Sequence, residues 1–204
     1  MASVVAEITV SLDGFVASPN DGPELGLGEG GEQLHEWVYG LKSWREPHGL
    51  EGGEMGPDAD LLEESFKRAG AIIVGRRMFD NARGWGEEPP FRMPVFVLTH
   101  EDREPEEKQG GTTFTFVNGI ENALEQARVA ADGKDVSIGG GAETIQQFLK
   151  AGMLDELLVH IAPLLLGGGV RLFEGVGPDV QLEHTQVISS PAVTHLRFRV
   201  TTSR

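Results

Sequence analysis

The residues that could do chemistry fall in four short segments. In DVSIGGGAETIQQFL, residues 135–149, an apolar strand pattern runs into Gly139, Gly140 and Gly141. Ala142, Glu143 and Thr144 then open a helical pattern. Such a turn gathers free backbone N–H groups and the positive helix end at one point, which suits a phosphate. Glycine also lets a ligand approach the backbone closely. The spacing is not G-x-G-x-x-G, because Thr144 stands where the third glycine would be, and there is no Walker lysine. A tight strand-to-helix turn that binds nothing has the same composition.

In AIIVGRRMF, residues 71–79, a strand pattern ends at Gly75 and two guanidinium groups follow, Arg76 and Arg77. A guanidinium matches a phosphate monoester. Ordinary surface ion pairs are the competing reading. In TVSLDGFVA, residues 9–17, Asp13-Gly14 marks a turn at a strand end. The carboxylate could bond its own backbone there or face a ligand. In VFVLTH, Thr99 and His100 emerge at the end of a buried strand, where open α/β sheets bind ligands. His35, His48, His160, His184 and His195 have no metal-ligand spacing, so no metal is expected. No G-x-S-x-G elbow offers a hydrolase nucleophile. Trp37, Trp44 and Trp85 could line a pocket or fill a core.

These groups need elements to position them. Residues 4–10, 71–74, 95–98, 113–117, 136–138 and 157–161 read as strands. Helices are expected over 32–45, from Pro57 to a stop at Gly70, after Asn118, and over 142–151. Asp60 with Glu63, and Asn118 with Glu121, have the spacing of helix caps. The stretch 18–31, rich in Gly with Pro19 and Pro23, reads as a long mobile loop. Runs near 180–188 and 193–200 close the chain as a hairpin, with Leu196, Phe198 and Val200 on one face and His195, Arg197 and Arg199 on the other. Strands alternate with helices until the last two. The class is therefore α/β, a mixed, mostly parallel sheet flanked by helices, with an antiparallel C-terminal edge.

Composition narrows the partners. The 204 residues suit one domain spanning 1–204. Lys and Arg total 17 against 32 Asp and Glu, giving −15, which disfavours a nucleic-acid partner. The absence of cysteine excludes disulfides, thiolate metal sites and a Cys nucleophile. No apolar run approaches the ~20 residues of a membrane span. The N-terminus lacks a signal-peptide pattern. A cytoplasmic protein facing a small molecule is expected.

The four segments, in this order, resemble the dihydrofolate-reductase-like superfamily. The likeness is greatest to the branch holding the reductase domain of bacterial riboflavin biosynthesis and its stand-alone relatives. It runs from about Val4 to Val200, and LDELLVHIAPLLLGGGVRLF at 154–173 strengthens it. The resemblance implies an NADPH-dependent reductase acting on a small pterin- or pyrimidine-like heterocycle. A nucleotide-binding protein without turnover is the alternative.

By that resemblance Gly139 to Thr144 match the pyrophosphate turn, with a cis peptide at Gly139–Gly140. Gly75, Arg76 and Arg77 match the 2′-phosphate side. Thr99 and His100 match the adenosine ribose side, and Val16 and Ala17 the loop beside the nicotinamide, near Thr9. Asp13 is the candidate for proton donation or substrate anchoring, and the 18–31 loop for a lid. Glu32 and Glu36 fall in the region of the acid that holds a pterin in dihydrofolate reductases. A homodimer through the late strands is also implied. Three features depart from these patterns. Phe15 stands where riboflavin-type reductases usually have a Lys or Arg, Met78 stands where dihydrofolate reductases usually have a Thr that bonds the cofactor, and no cysteine is present for the zinc deaminase domain often fused to riboflavin-type reductases.

Overall fold

The structure, a computed structural model, describes residues 2–202. Its strands are β1 (Val4–Ser11), β2 (Phe15–Ala17), β3 (Ala69–Gly75), β4 (Pro94–Leu98), β5 (Glu106–Glu107), β6 (Thr113–Val117), β7 (Asp135–Gly140), β8 (Glu156–Ala162), β9 (Val170–Arg171), β10 (Val180–Ser189) and β11 (Thr194–Thr202). Its helices are α1 (Glu36–Tyr39), α2 (Lys42–Arg45), α3 (Pro57–Arg68), α4 (Arg76–Asn81), α5 (Ile120–Ala130) and α6 (Ala142–Lys150). A nine-stranded sheet has the order β10-β11-β8-β1-β7-β3-β4-β6-β5. From β8 to β6 every pairing is parallel. β11 and β10 add the antiparallel C-terminal edge, and β5 makes a short antiparallel edge at the other side. β2 and β9 pair separately.

Parallel strands need crossovers, and those helices cover both faces of the sheet. On one face α5 supplies Ala123, Leu124 and Ala127, and α6 supplies Ile145, Phe148 and Leu149. They pack on Val4, Ala6, Ile73, Ile138 and Leu157. The expected buried faces of both helices are thus the observed ones, apart from Ile120, which is half-buried. On the other face α1 and α3 make a smaller cluster of Trp37, Val38, Ala59 and Leu62, and α4 packs Phe79 on Val74, Val97 and Phe114.

Several local expectations are corrected. The helix over 32–45 is broken into a 3-10 turn (Gly31–His35), α1 and α2. Leu41 is extended because the chain there pairs with Glu54: Lys42 N–H donates to Glu54 O at 2.9 Å and Glu54 N–H to Gly40 O at 2.8 Å. The Asp60 cap is also displaced. α3 starts at Pro57, whose fixed φ suits a first helical position, and no side chain caps it. Gly70 does not stop α3, which ends at Arg68. It lies within β3, where a Cβ would collide with the Ala131 carbonyl. Gly119, at φ +87°, precedes α5 without a side-chain cap, and Asn118 instead bonds His100.

Phe148 is fully buried at the centre of the larger core. Phe148→Ala should cost about 3–5 kcal/mol. Urea unfolding should show this as a lower midpoint with an unchanged slope.

Candidate active site

All the parallel strands end on the same side, and a cavity of about 1110 Å³ opens there. That exceeds the roughly 300–1,000 Å³ of most small-molecule pockets. One wall is the β7–α6 turn. Gly139, Gly141, Ala142, Glu143 and Thr144 all line the cavity. The first intrahelical bond of α6 runs from Ile145 N–H to Gly141 O at 3.2 Å, so the amides before it have no helical acceptor. No side chain caps this end. A Cβ at Gly141 would meet nothing within 4 Å, so its backbone is open to the cavity. The cis peptide is Gly140–Gly141, one residue later than expected, because β7 continues through Gly140. Gly75 is fixed by close packing: a Cβ there would stand 2.5 Å from Thr144 Oγ1.

The two arginines part company. Arg76 Nε donates to Asp80 at 2.8 Å, and its NH1 reaches Glu101 and, at 3.5 Å, Thr99 Oγ1. Bonds to Glu101 and Asp80 raise the guanidinium pKa further. Arg77 turns the other way and holds Asp21 through bonds of 2.9 and 2.5 Å, with Asn81 donating to the same carboxylate at 2.9 Å. Both arginines line the cavity, with Thr99 beside Arg76 and His100 also in the lining. His100 Nδ1 lies 2.9 Å from Asn118 Oδ1. The 18–31 loop is tied down rather than loose. Ser18 N–H donates to Leu27 O at 2.8 Å, Arg83 Nε donates to Pro23 O at 2.7 Å, and Arg77 grips Asp21.

Asp13 lies outside the cavity lining. Its carboxylate accepts from Ser11 Oγ at 2.6 Å, Leu166 N–H at 3.1 Å and Gly167 N–H at 2.8 Å. The Ser11 hydroxyl first, then the Gly167 and Leu166 amides, hold it down from 3.8 to about 2, against the opposing effect of burial. Such a group is ionised at neutral pH and saturated with donors. It tethers the β1–β2 turn to the segment before β9, and that tether sets Val16 and Ala17 in the cavity wall.

A family model described as the RibD C-terminal domain matches residues 2–196. The chain belongs to this family. The uncharacterised protein YyaP of Bacillus subtilis is 26% identical over 93% of this chain and 91% of its own length. Among solved structures, a candidate riboflavin biosynthesis protein from Shewanella sp. PV-4 has TM-score 0.66 at 20% identity, covering 98% of this chain and 99% of its own. Dihydrofolate reductase from Enterococcus faecalis, complexed with NADP(H), has TM-score 0.58 at 15% identity, covering 97% and 96%. Both structures share the fold, which is dihydrofolate-reductase-like.

The departures at Phe15 and Met78 have physical counterparts. Phe15 is buried, and the Arg171 guanidinium sits 4.3 Å from its ring centroid, so a cation reaches this place from β9. Met78 packs toward Gly140, its Sδ 3.5 Å from where a Cβ would stand. Glu32 lines the cavity and Glu36 does not. Trp37, Trp44 and Trp85 all line it.

Sequence reasoning missed one group of residues. Glu7 and His160 line the cavity, and His195 and Asp58 continue from them behind the wall. The available signal was Glu7 itself, the one charge within a mostly apolar strand. Among the described residues no cluster of His, Cys, Asp or Glu could hold a metal, and no helix is long and apolar enough to cross a membrane.

Gly75→Ala should cost about 1–3 kcal/mol by overpacking. Adding Thr144→Ala should restore most of that loss, as read by urea unfolding. The Asp13 tether has the sign of a depressed carboxyl. It is fully present above pH 3.8 and is lost as pH falls through about 2. At neutral pH Asp13→Ala should speed exchange of the Leu166 and Gly167 amides roughly tenfold, the worth of one hydrogen bond.

Proposed function

We propose that this protein is an NADPH-dependent reductase of a C=N or C=O bond in a small pterin- or pyrimidine-like heterocycle. One observation carries the reading. The open, uncapped start of α6 and the Arg76 guanidinium face one cavity at the ends of the parallel strands. That donor set fits a dinucleotide with a pyrophosphate and a phosphate monoester. Membership of the RibD C-terminal domain family supports a reductase of this kind.

When bound, the cofactor supplies the hydride. The Ala142, Glu143 and Thr144 amides would hold the pyrophosphate beside Gly139, Gly140 and Gly141. Arg76, with Thr99 and His100, would hold the 2′-phosphate. Glu101 now occupies part of the Arg76 fork, and its side chain is 62% exposed, so it is free to swing into water. Arg77 would act through Asp21, holding the 18–31 loop against α4. Gly75 lets β3 approach α6, and Val16 and Ala17 would flank the nicotinamide. The substrate would lie toward Glu32, His35 and the Trp37 and Trp44 rings, a polar and aromatic lining suited to a flat heterocycle. Asp13 has no proton to give at neutral pH. We therefore assign it positioning rather than proton donation. A nucleotide-binding protein without turnover is the reading that Asp13 alone would favour.

Calorimetric titration with NADPH and NADH tests the nucleotide assignment. The wild type should prefer NADPH. Arg76→Ala should weaken NADPH by roughly 10- to 100-fold, the worth of a charged hydrogen bond, and leave NADH nearly unchanged. Equal losses for both nucleotides would remove Arg76 from the 2′-phosphate.

A further inference from the structure

Four side chains from four elements form one hydrogen-bonded row. Glu7 Oε1 on β1 lies 3.0 Å from His160 Nε2 on β8. His160 Nδ1 lies 2.7 Å from His195 Nδ1 on β11. His195 Nε2 lies 3.1 Å from Asp58 Oδ1 at the start of α3. The sheet register builds the row, since Thr9 pairs with His160 and His160 with His195. Trp37 lies against both imidazoles, at centroid distances of 4.9 and 5.2 Å, and donates its indole N–H to Thr9 Oγ1 at 3.3 Å.

Proton counting makes the row unusual. Two imidazole nitrogens 2.7 Å apart repel unless a proton lies between them. Each outer nitrogen faces a carboxyl oxygen, and that bond also needs a proton. Three bonds require three protons. Two neutral imidazoles beside two carboxylates supply only two. A row with all three bonds made would therefore hold one further proton, buried: the two imidazole side chains are 5% and 1% exposed.

The Glu7 carboxylate favours leaving that proton on the rings, and burial opposes it at His195. Burial would raise the Glu7 carboxyl, but the His160 bond and charge, the Ser65 hydroxyl and Arg197 outweigh it and hold Glu7 below the usual range. Burial first, and then the His160 charge, push His195 down against the pull of Asp58 and Glu7. From the 3-10 turn before α1, His35 faces His160 with Glu32 at its side, and burial pushes His35 down as well. Arg197 is itself paired with Glu64 at 3.1 Å and Glu156 at 3.5 Å. Glu7 and His160 open on the cavity, while His195 and Asp58 do not line it.

We propose that this row is the proton source of the reduction, with Glu7 the group that hands the proton to substrate. The inference rests on the reductase reading. As the carbon of the C=N or C=O bond takes a hydride from the reduced nicotinamide, the π pair moves to the nitrogen or oxygen. Glu7, ionised at rest, takes the Nε2 proton of His160 and passes it to that atom. The substrate gains one C–H and one N–H or O–H bond, the nicotinamide leaves oxidised, and the histidine pair falls from one positive charge to none. Water entering after product release restores the proton through Glu7. His195 and Asp58 are positioning residues that keep the pair charged.

The decisive experiment combines two readouts on the full chain. NMR of ring-labelled histidine should show three ring N–H protons shared by His160 and His195 at neutral pH, and two in Glu7→Gln. Calorimetry should give Glu7→Gln the NADPH affinity of wild type within twofold. NADPH oxidation is then followed with a panel of dihydropterins and aminopyrimidines. With the panel member that wild type reduces fastest, Glu7→Gln should lose at least about 100-fold in kcat, the scale of general acid catalysis. Asp58→Asn, the second variant, should lower kcat about tenfold at constant KM and shift the fall of rate with rising pH to lower pH.

Two neutral rings in wild type, or full kcat in Glu7→Gln, would overturn the proposal. NADPH binding by wild type with no turnover of any panel member would overturn the donation step together with the reductase reading. Failure to bind NADPH at all would overturn the reductase reading and the donation step that rests on it, and the NMR count would then report on the stored proton by itself.

Discussion

β1 is held along both edges by parallel neighbours, and the site depends on that constraint. Parallel pairing with β7 on one side and β8 on the other forces all three strands to end at the same rim. Each then delivers a different part of the cavity. β7 delivers the glycine turn, β8 delivers His160, and β1 delivers Glu7 and the turn that leads to Val16 and Ala17. Asp13 secures that last turn to the segment beyond β8. The long-range geometry is thus fixed by backbone ladders, and a single saturated carboxylate fixes the local geometry.

The sheet face under α3 is polar where a core would ordinarily be apolar. Glu7, His160, His195 and Arg197 lie there, and each has a partner. Arg68 at the end of α3 closes the same face, donating to Asp135 at 2.7 Å and Glu156 at 3.0 Å. Buried polar groups are costly unless paired, so this face is tolerable only with its pairing complete. Among the described residues the Arg197 Nε is one buried atom left without a hydrogen bond, although its NH1 is engaged. Such a face adds little net stability compared with an apolar one. Its presence next to the cavity is better understood as chemistry than as cohesion.

The parts of this fold legible in the sequence were those set by period and by glycine. The spacing of Ala123, Leu124 and Ala127, and of Ile145, Phe148 and Leu149, identified two helix faces correctly. The order of the Asp13, Gly75, Thr99 and Gly139 segments identified the fold. Parts set by distant partners were not legible. The break at Leu41 depends on Glu54, and Gly70 answers to Ala131 rather than to its own helix. Asp13 looked like a turn residue or an acid, and the amides that claim it lie more than 150 positions away. His160 and His195 lie on separate strands, so no spacing could reveal that their rings touch. Glu7 stood out only as a charge in a strand, which alone does not name its partner.

The charge distribution bears on how fast a ligand arrives. The chain carries −15, and the Arg76 and Arg77 guanidinium groups are already matched by Asp80, Glu101 and Asp21. An anion approaching from solution therefore meets repulsion, and the local attraction is masked until a carboxylate moves aside. Many anion-binding clefts steer their ligands inward and lose association rate as salt is added. Here the sense is reversed. At physiological ionic strength, with a screening length of about 8 Å, the long-range repulsion is damped. Capture of an anion at this cavity would therefore quicken with salt, and tight binding would come from slow departure rather than swift arrival.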